Sequence, residues 1–322
     1  MTCVLLADIG GSSTRFAVCK LGGRPEGVVV IDNETVSGPE AAIRRYLDKS
    51  GVRPQYAVLG VAGPIDGEEV RLTNRPWRFH LERIRSRFGL TRVHAINDFE
   101  ALAYALATLR ADELAPLGRA TGPRHGPKVV LGPGTGLGVA ALLPRGDDWI
   151  AVASEGGHVS FGPASAQERV IFERIDGPEM ITAETVISGP GLERIYRAAN
   201  PSNVRLEART IVAQAKTGHT GARAAVQTFV GLLGRFAGDM ALTFKATGGV
   251  YLAGGVALKI GDMLDPALFR AAFENHPPYK KLLATIPTCL ITSPEPGLIG
   301  CAVVAQQVMG SEPRNTRAAK AG

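Results

Sequence analysis

Asp8 stands at the end of a short apolar run and is followed by Gly10, Gly11, Ser12, Ser13 and Thr14. A carboxylate beside two glycines and three hydroxyls suits phosphate. Backbone amides converge on an anion where no Cβ intrudes, and a nearby acid can hold a metal-bound water, because Mg2+ keeps much of its water shell. A tight β-turn capped by an aspartate would use the same residues. A second corner, Gly132-Pro133-Gly134-Thr135-Gly136-Leu137-Gly138, repeats the device. It is not a Walker A loop, since no lysine follows in the GxxxxGK[ST] spacing. A strand rather than a helix is expected after it, which argues against a Rossmann dinucleotide turn. Two separated corners of this kind point to a nucleotide gripped between two domains.

Asn97-Asp98 falls at a strand-to-helix junction. At the C-terminal edge of a strand, where open α/β sheets bind their ligands, Asp98 could accept the proton of a substrate hydroxyl. As helix N-caps, the same pair needs no ligand. Ser154-Glu155-Gly156-Gly157-His158 joins an acid and an imidazole across two glycines, with a polar hairpin as the plain alternative. Glu184, ahead of Ser188-Gly189-Pro190-Gly191, is either a ligand or an exposed acid on a helix end. Paired carboxylates, an amide and a neutral imidazole suit a polyhydroxylated ligand, whose vicinal hydroxyls each donate and accept. Gly254-Gly255 after an apolar run allows close backbone approach at a helix N-terminus, suiting an adenine, a ribose, a phosphate or simply tight helix packing. His80, His94, His125, His219 and His276 read as structural.

The elements that must carry these groups follow from the hydrophobic pattern. Residues 3–9, 15–21, 56–61 and 91–96 read as strands of a first α/β half, with a helix over 40–50 and another from 99 to about 109. After a Gly/Pro-rich, basic loop over 116–128 the pattern restarts: strands at 128–131 and 139–143 flank the second corner. Helices over 166–176, 189–199, 207–217 and 221–246, a strand at 250–253 and an apolar helix over 297–309 complete the reading. The length of 322 residues fits about two domains. The net charge of +6 is dispersed, with acids and arginines alternating through 82–87 and no basic run interleaved with aromatics, which argues against a nucleic-acid partner. Cys3, Cys19, Cys289 and Cys301 show no CxxC spacing, so neither zinc nor a disulfide framework is signalled. The N-terminus lacks a basic region followed by a long apolar stretch, so the expectation is a cytoplasmic protein with no membrane partner.

Taken together, ADIGGSSTRFA (7–17), GVAGPIDG (60–67), LTNRPWRF (72–79), INDFEALAYAL (96–106), GPGTGLGVA (132–140), EGGHVSF (155–161), ISGPGLERIY (187–196), LAGGVAL (252–258) and FRAAF (269–273) resemble, in this order, the bacterial glucokinase family, over essentially residues 4 to 308. The resemblance implies an α/β, two-domain, actin-like (ribonuclease H-like) hexokinase-type ATPase fold with a cleft between its domains. The small domain would comprise 1–110 and 298–310, the large one 111–297, with hinges near 109–128 and 294–298 and a flexible tail over 311–322. It implies transfer of the ATP γ-phosphoryl group to the 6-hydroxyl of glucose, with Mg2+, in a homodimer. Asn97, Asp98, Glu155, His158 and Glu184 would hold the sugar, with Asp98 as catalytic base. Asp8, Gly10, Gly11, Ser12, Ser13, Thr14, Gly134, Thr135, Gly136 and Gly138 would face the phosphates, Asp8 reaching the metal through water. Gly254 and Gly255 would lie near the adenosine. The first corner reads Gly-Gly-Thr-Asn in most of the family, and Ser12-Ser13 depart from it, which bears on nucleotide affinity. A sensor without catalysis, or a kinase for another hexose, is the alternative on the same scaffold.

Overall fold

The computed structural model describes residues 2–119, 125–200 and 205–310, so the 311–322 tail lies outside the described residues. The described chain forms two compact units, one from residues 2–108 and 295–310, the other from 109–294. The crossings therefore fall at Thr108–Leu109 and Pro294–Glu295, whereas the sequence reading set them at 110/111 and 297/298.

The first unit is built on β1 (Cys3–Ile9), β2 (Ser13–Lys20), β3 (Glu26–Asp32), β4 (Tyr56–Val61) and β8 (Arg92–Asn97), in the order β3-β2-β1-β4-β8. β5 (Ile65–Asp66), β6 (Glu69–Arg71) and β7 (Arg78–His80) form a separate three-stranded sheet. β1 runs antiparallel to β2 and parallel to β4, which runs parallel to β8. The unbroken apolar run of β1 is what a strand covered on both faces requires. Leu5, Ala7 and Ile9 pack on one side with Ala42, Ile43 and Tyr46 of the helix Pro39–Ser50 and Ile84 of the helix Leu81–Phe88. Val4 and Leu6 pack on the other with Ala101, Leu298, Cys301 and Ala305. The helix Pro296–Gly310 thus belongs to the first unit. Its Gly300 lies so close to the helix Asp98–Ala105 that a Cβ would meet Ala101 O at 1.7 Å. That helix stops at Ala105 rather than near 109, because the N–H groups of Leu106, Ala107 and Thr108 turn back to carbonyls three residues behind.

The second unit repeats the plan. β10 (Lys128–Pro133), β11 (Leu137–Arg145), β12 (Asp148–Ser154), β13 (Gly249–Leu252) and β14 (Thr288–Ile291) take the order β12-β11-β10-β13-β14, extended by β9 (Leu114–Pro116) at the edge. The strand directions match those of β3-β2-β1-β4-β8 pair by pair. Each unit therefore carries a corner between two adjacent antiparallel strands, β1 and β2 at residues 10–12 and β10 and β11 at 134–136. The long helix Thr220–Thr243 carries Phe229 and Phe236 into the core, where Phe269 and Phe273 of the helix Pro266–Glu274 meet them. Among the described residues no helix is long and apolar enough to cross a membrane.

Candidate active site

The corner after β1 is held from behind. Asn33 is fully buried; its Nδ2 donates to Gly10 O at 2.8 Å and Gly11 O at 3.2 Å, and its Oδ1 accepts from Thr14 Oγ1 at 2.8 Å. Gly10 N–H goes to Ser13 O and Asn33 N–H to Ser12 O. Thr14 is itself fully buried with its hydroxyl committed to Asn33, so it braces the corner and does not offer a hydroxyl to a phosphate. Ser12 is exposed, and Ser13 lies half-buried with Arg15 Nη1 3.5 Å from its Oγ. Asn33 and Arg75, whose Nε donates to Gly11 O at 2.9 Å, were not visible as site residues in the sequence, since each acts across a long stretch of chain. The signal that could have found them is a polar residue, Asn33, lodged at the start of a turn beside an apolar edge strand.

Asp8 sits one residue before the end of β1. Gly297, at the start of the C-terminal helix, lies against it: a Cβ there would stand 2.9 Å from Asp8 Oδ2. Burial pushes the Asp8 carboxyl above the usual carboxylate range, against the pull of Arg15. Arg15 Nε in turn meets Glu295 Oε2 at 2.9 Å. Asn97 closes β8 and caps the helix that follows, its Oδ1 accepting from Phe99 N–H at 2.9 Å and Glu100 N–H at 3.4 Å. Capping is therefore a role Asn97 performs. Asp98 is half-buried at the first helical position, with Oδ1 on Phe99 N–H at 2.9 Å. Its carboxyl is pushed up to about 7, first by burial and then by the negative charge of Asp8, with the hydrogen bonds from Phe99 and Asn97 pulling the other way. Burial, with the charge of Asp8 added to it, is what sets this carboxyl apart from an ordinary, fully ionised aspartate. A carboxyl poised near neutrality is well matched to taking a hydroxyl proton.

In the second unit the corner is locked in a parallel manner. Gly134 O accepts from Gly189 N–H at 2.8 Å, and Gly134 N–H closes onto Gly136 O at 2.8 Å. Glu184, on the short helix Ala183–Val186, is no free acid: its Oε2 accepts from Leu137 N–H at 2.8 Å. That carboxylate occupies the place of a Cβ at position 136, 2.5 Å away, which is why Gly136 is glycine. Thr135 is exposed at the tip, and Gly138 sits in β11 opposite Gly132. Gly156–His158 is a single 3-10 turn rather than a hairpin. It leaves Glu155 and His158 exposed, with His158 Nε2 4.0 Å from Glu155 Oε2. Gly157 passes so near β11 that a Cβ would meet Leu137 O at 2.0 Å, so the turn carrying Glu155 and His158 rests on the strand that begins at the corner. Gly254 has φ +86° and lies against Pro133 O, 2.7 Å from where its Cβ would be. Its glycine is thus demanded by packing against the corner, whereas Gly255, opening the helix Gly255–Ile260, faces open space.

Among the described residues no cluster of three or more His, Cys, Asp or Glu forms a metal cage. Mg2+ needs none, since it binds through one or two carboxylates and keeps its waters. Asp8, whose charge bears on Asp98, suits such a hydrated cation, which would relieve the repulsion between the two carboxylates.

Two units of one strand order, each carrying a corner whose carbonyls are tied back, define an actin-like phosphoryl-transfer scaffold. The family model for glucokinase matches residues 5–308. A glucokinase of Mesorhizobium japonicum is 39% identical over 312 residues, spanning 94% of this chain and 91% of the relative. Among solved structures, a glucokinase from an Antarctic psychrotroph superposes with a TM-score of 0.87 at 29% identity, covering 95% of this chain and 99% of that one. The Balamuthia mandrillaris glucokinase, solved in complex with glucose, gives a TM-score of 0.78 at 25% identity, covering 95% and 94% of the two chains. The chain belongs to the glucokinase family, and its fold is the actin-like two-domain fold of these sugar kinases.

Proposed function

We propose that this chain transfers the γ-phosphoryl group of ATP to the 6-hydroxyl of glucose, giving glucose 6-phosphate and ADP. Membership of the glucokinase family supports the reaction. The observation that carries the mechanism is Asp98, a half-buried carboxyl poised near neutrality at the carboxyl end of β8, in the sheet whose first corner offers amides to an anion. In this reading Asn97, Asp98, Glu155, His158 and Glu184 hold one sugar, and Asp98 takes the proton of its 6-hydroxyl as the oxygen attacks phosphorus. The bond from phosphorus to the β,γ-bridging oxygen breaks and ADP leaves. Phosphoryl transfer asks for positioning and neutralisation of charge more than for covalent help. The N–H groups at 11–12 and 135–136 meet that need as fixed donors to the phosphate oxygens. Mg2+, held by Asp8 through water, would neutralise phosphate charge when bound. Glu184 ties sugar and phosphate recognition together, because the carboxylate assigned to the sugar also fixes Leu137 N–H of the second corner. A cytoplasmic location and a homodimeric state go with this reading, the latter tested by light scattering.

The test is a coupled assay with ATP, Mg2+ and a panel of sugars. Glucose is expected to give ADP at the highest kcat/KM. A chain that binds glucose and ATP without turnover would instead be a sensor, and preference for another hexose would change the substrate and leave the chemistry intact.

A further inference from the structure

We infer that Arg75 and Asn33 are positioning residues for the triphosphate, acting through the backbone of the first corner; this rests on the kinase reading above. A trans peptide is planar, so its C=O and the following N–H point in opposite directions. Asn33 Nδ2 fixes Gly10 O and Gly11 O, at 2.8 and 3.2 Å. Arg75 Nε fixes Gly11 O a second time, at 2.9 Å, and Arg75 Nη1 reaches Asn33 O at 3.4 Å. Holding these two carbonyls to the rear turns the N–H groups of Gly11 and Ser12 to the front. Neither has a protein partner among the described residues. Two convergent, unpaired amides at a glycine corner are a nest for an anion.

The brace is itself held. Asn33 is completely buried with both ends of its carboxamide used. Arg75 stacks over the Trp77 ring with its guanidinium carbon 5.0 Å from the centroid, and its remaining nitrogen pairs with Glu34. The arginine side chain is only 15% exposed and its donors go to protein carbonyls and Glu34, so it acts on a phosphate through the peptide planes rather than as a contact.

The experiment compares wild type with Arg75→Met, Arg75→Lys and Asn33→Asp, measuring calorimetric affinities for ATP, adenosine and glucose together with KM and kcat. Arg75→Met keeps a long apolar stem over Trp77 and removes the donors. Arg75→Lys keeps the charge without the fork. Asn33→Asp keeps the shape and sets an acceptor against two carbonyls. Each variant is expected to weaken ATP about tenfold, one hydrogen bond's worth, with glucose and adenosine within about twofold and kcat at saturating ATP largely retained. Unchanged ATP affinity in the folded variants overturns the inference. So does full recovery in Arg75→Lys, which would make the arginine a mere charge, or equal weakening of glucose and ATP, which would make the brace structural only. A wild-type chain that binds no ATP overturns the kinase reading and this inference with it; ATP binding that the variants leave untouched overturns the inference alone.

Discussion

Replacing Asp98 by asparagine is expected to make the protein more stable in alkali while disabling it. The Asp98 carboxyl is raised in the folded chain from 3.8 to about 7. Below pH 3.8 it is neutral in both folded and unfolded chains and costs nothing. Between there and pH 7 the unfolded chain ionises while the folded one retains its proton, so stability falls as pH rises; above pH 7 both are ionised and the penalty is constant. At ~1.4 kcal/mol per tenfold, the full penalty is about 4 kcal/mol at pH 8 and about 1 kcal/mol at pH 4.5. The side chain is only half-buried, and solvent at its outer face screens part of this, so a gain of about 2–4 kcal/mol is expected for Asp98→Asn at pH 8. Asparagine Oδ1 can keep the bond from Phe99 N–H, so little is lost in exchange. Urea unfolding of both proteins at pH 4.5 and pH 8 reads this directly. No gain at pH 8, or the same gain at both values, would refute the claim that burial and Asp8 strain this carboxyl.

The same carboxyl gives kcat/KM for glucose an acid limb near pH 7 in the free enzyme, and Asp8→Asn should move that limb downward by removing the charge that raises Asp98. Pre-steady-state or initial-rate pH profiles check both. Ser13→Asn, at the departure in the first corner, should change KM for ATP and leave KM for glucose within about twofold; a shift confined to glucose would mean that the corner does not serve the nucleotide. Gly136→Ala would put a methyl where Glu184 Oε2 now lies, 2.5 Å from the new Cβ, and so pull that carboxylate off Leu137 N–H. Loss of about tenfold or more in kcat/KM for both substrates is expected, because one residue serves both.

Much of the scaffold was legible because its central strands are covered on both faces. The runs that became β1, β4 and β10 are almost uninterruptedly apolar, and their ends are marked by glycine. Strand β3 escaped notice for the opposite reason: it is an edge strand, with Val28 and Val30 left 43% and 55% exposed, so its pattern has no clean inside. The chemistry-bearing residues announced themselves by type, whereas the groups that aim them did not. Arg75 lies 64 residues from the carbonyl it holds, and Glu184 lies 47 from Leu137; only folding brings such pairs together. Glycines were legible as special but not in every purpose, since Gly136 and Gly254 also make room for Glu184 and Pro133, which lie far from them in sequence or across a strand.

The central claim is that a sugar hydroxyl gives its proton to Asp98 while taking the γ-phosphoryl group. Phosphorus NMR of wild type and Asp98→Asn, each supplied with ATP, Mg2+ and glucose, follows ADP and glucose 6-phosphate together. Wild type should form the two in equal amounts, and the variant should do so about 100-fold or more slowly while binding glucose within a few-fold of normal. Turnover by Asp98→Asn near the wild-type rate would contradict the account.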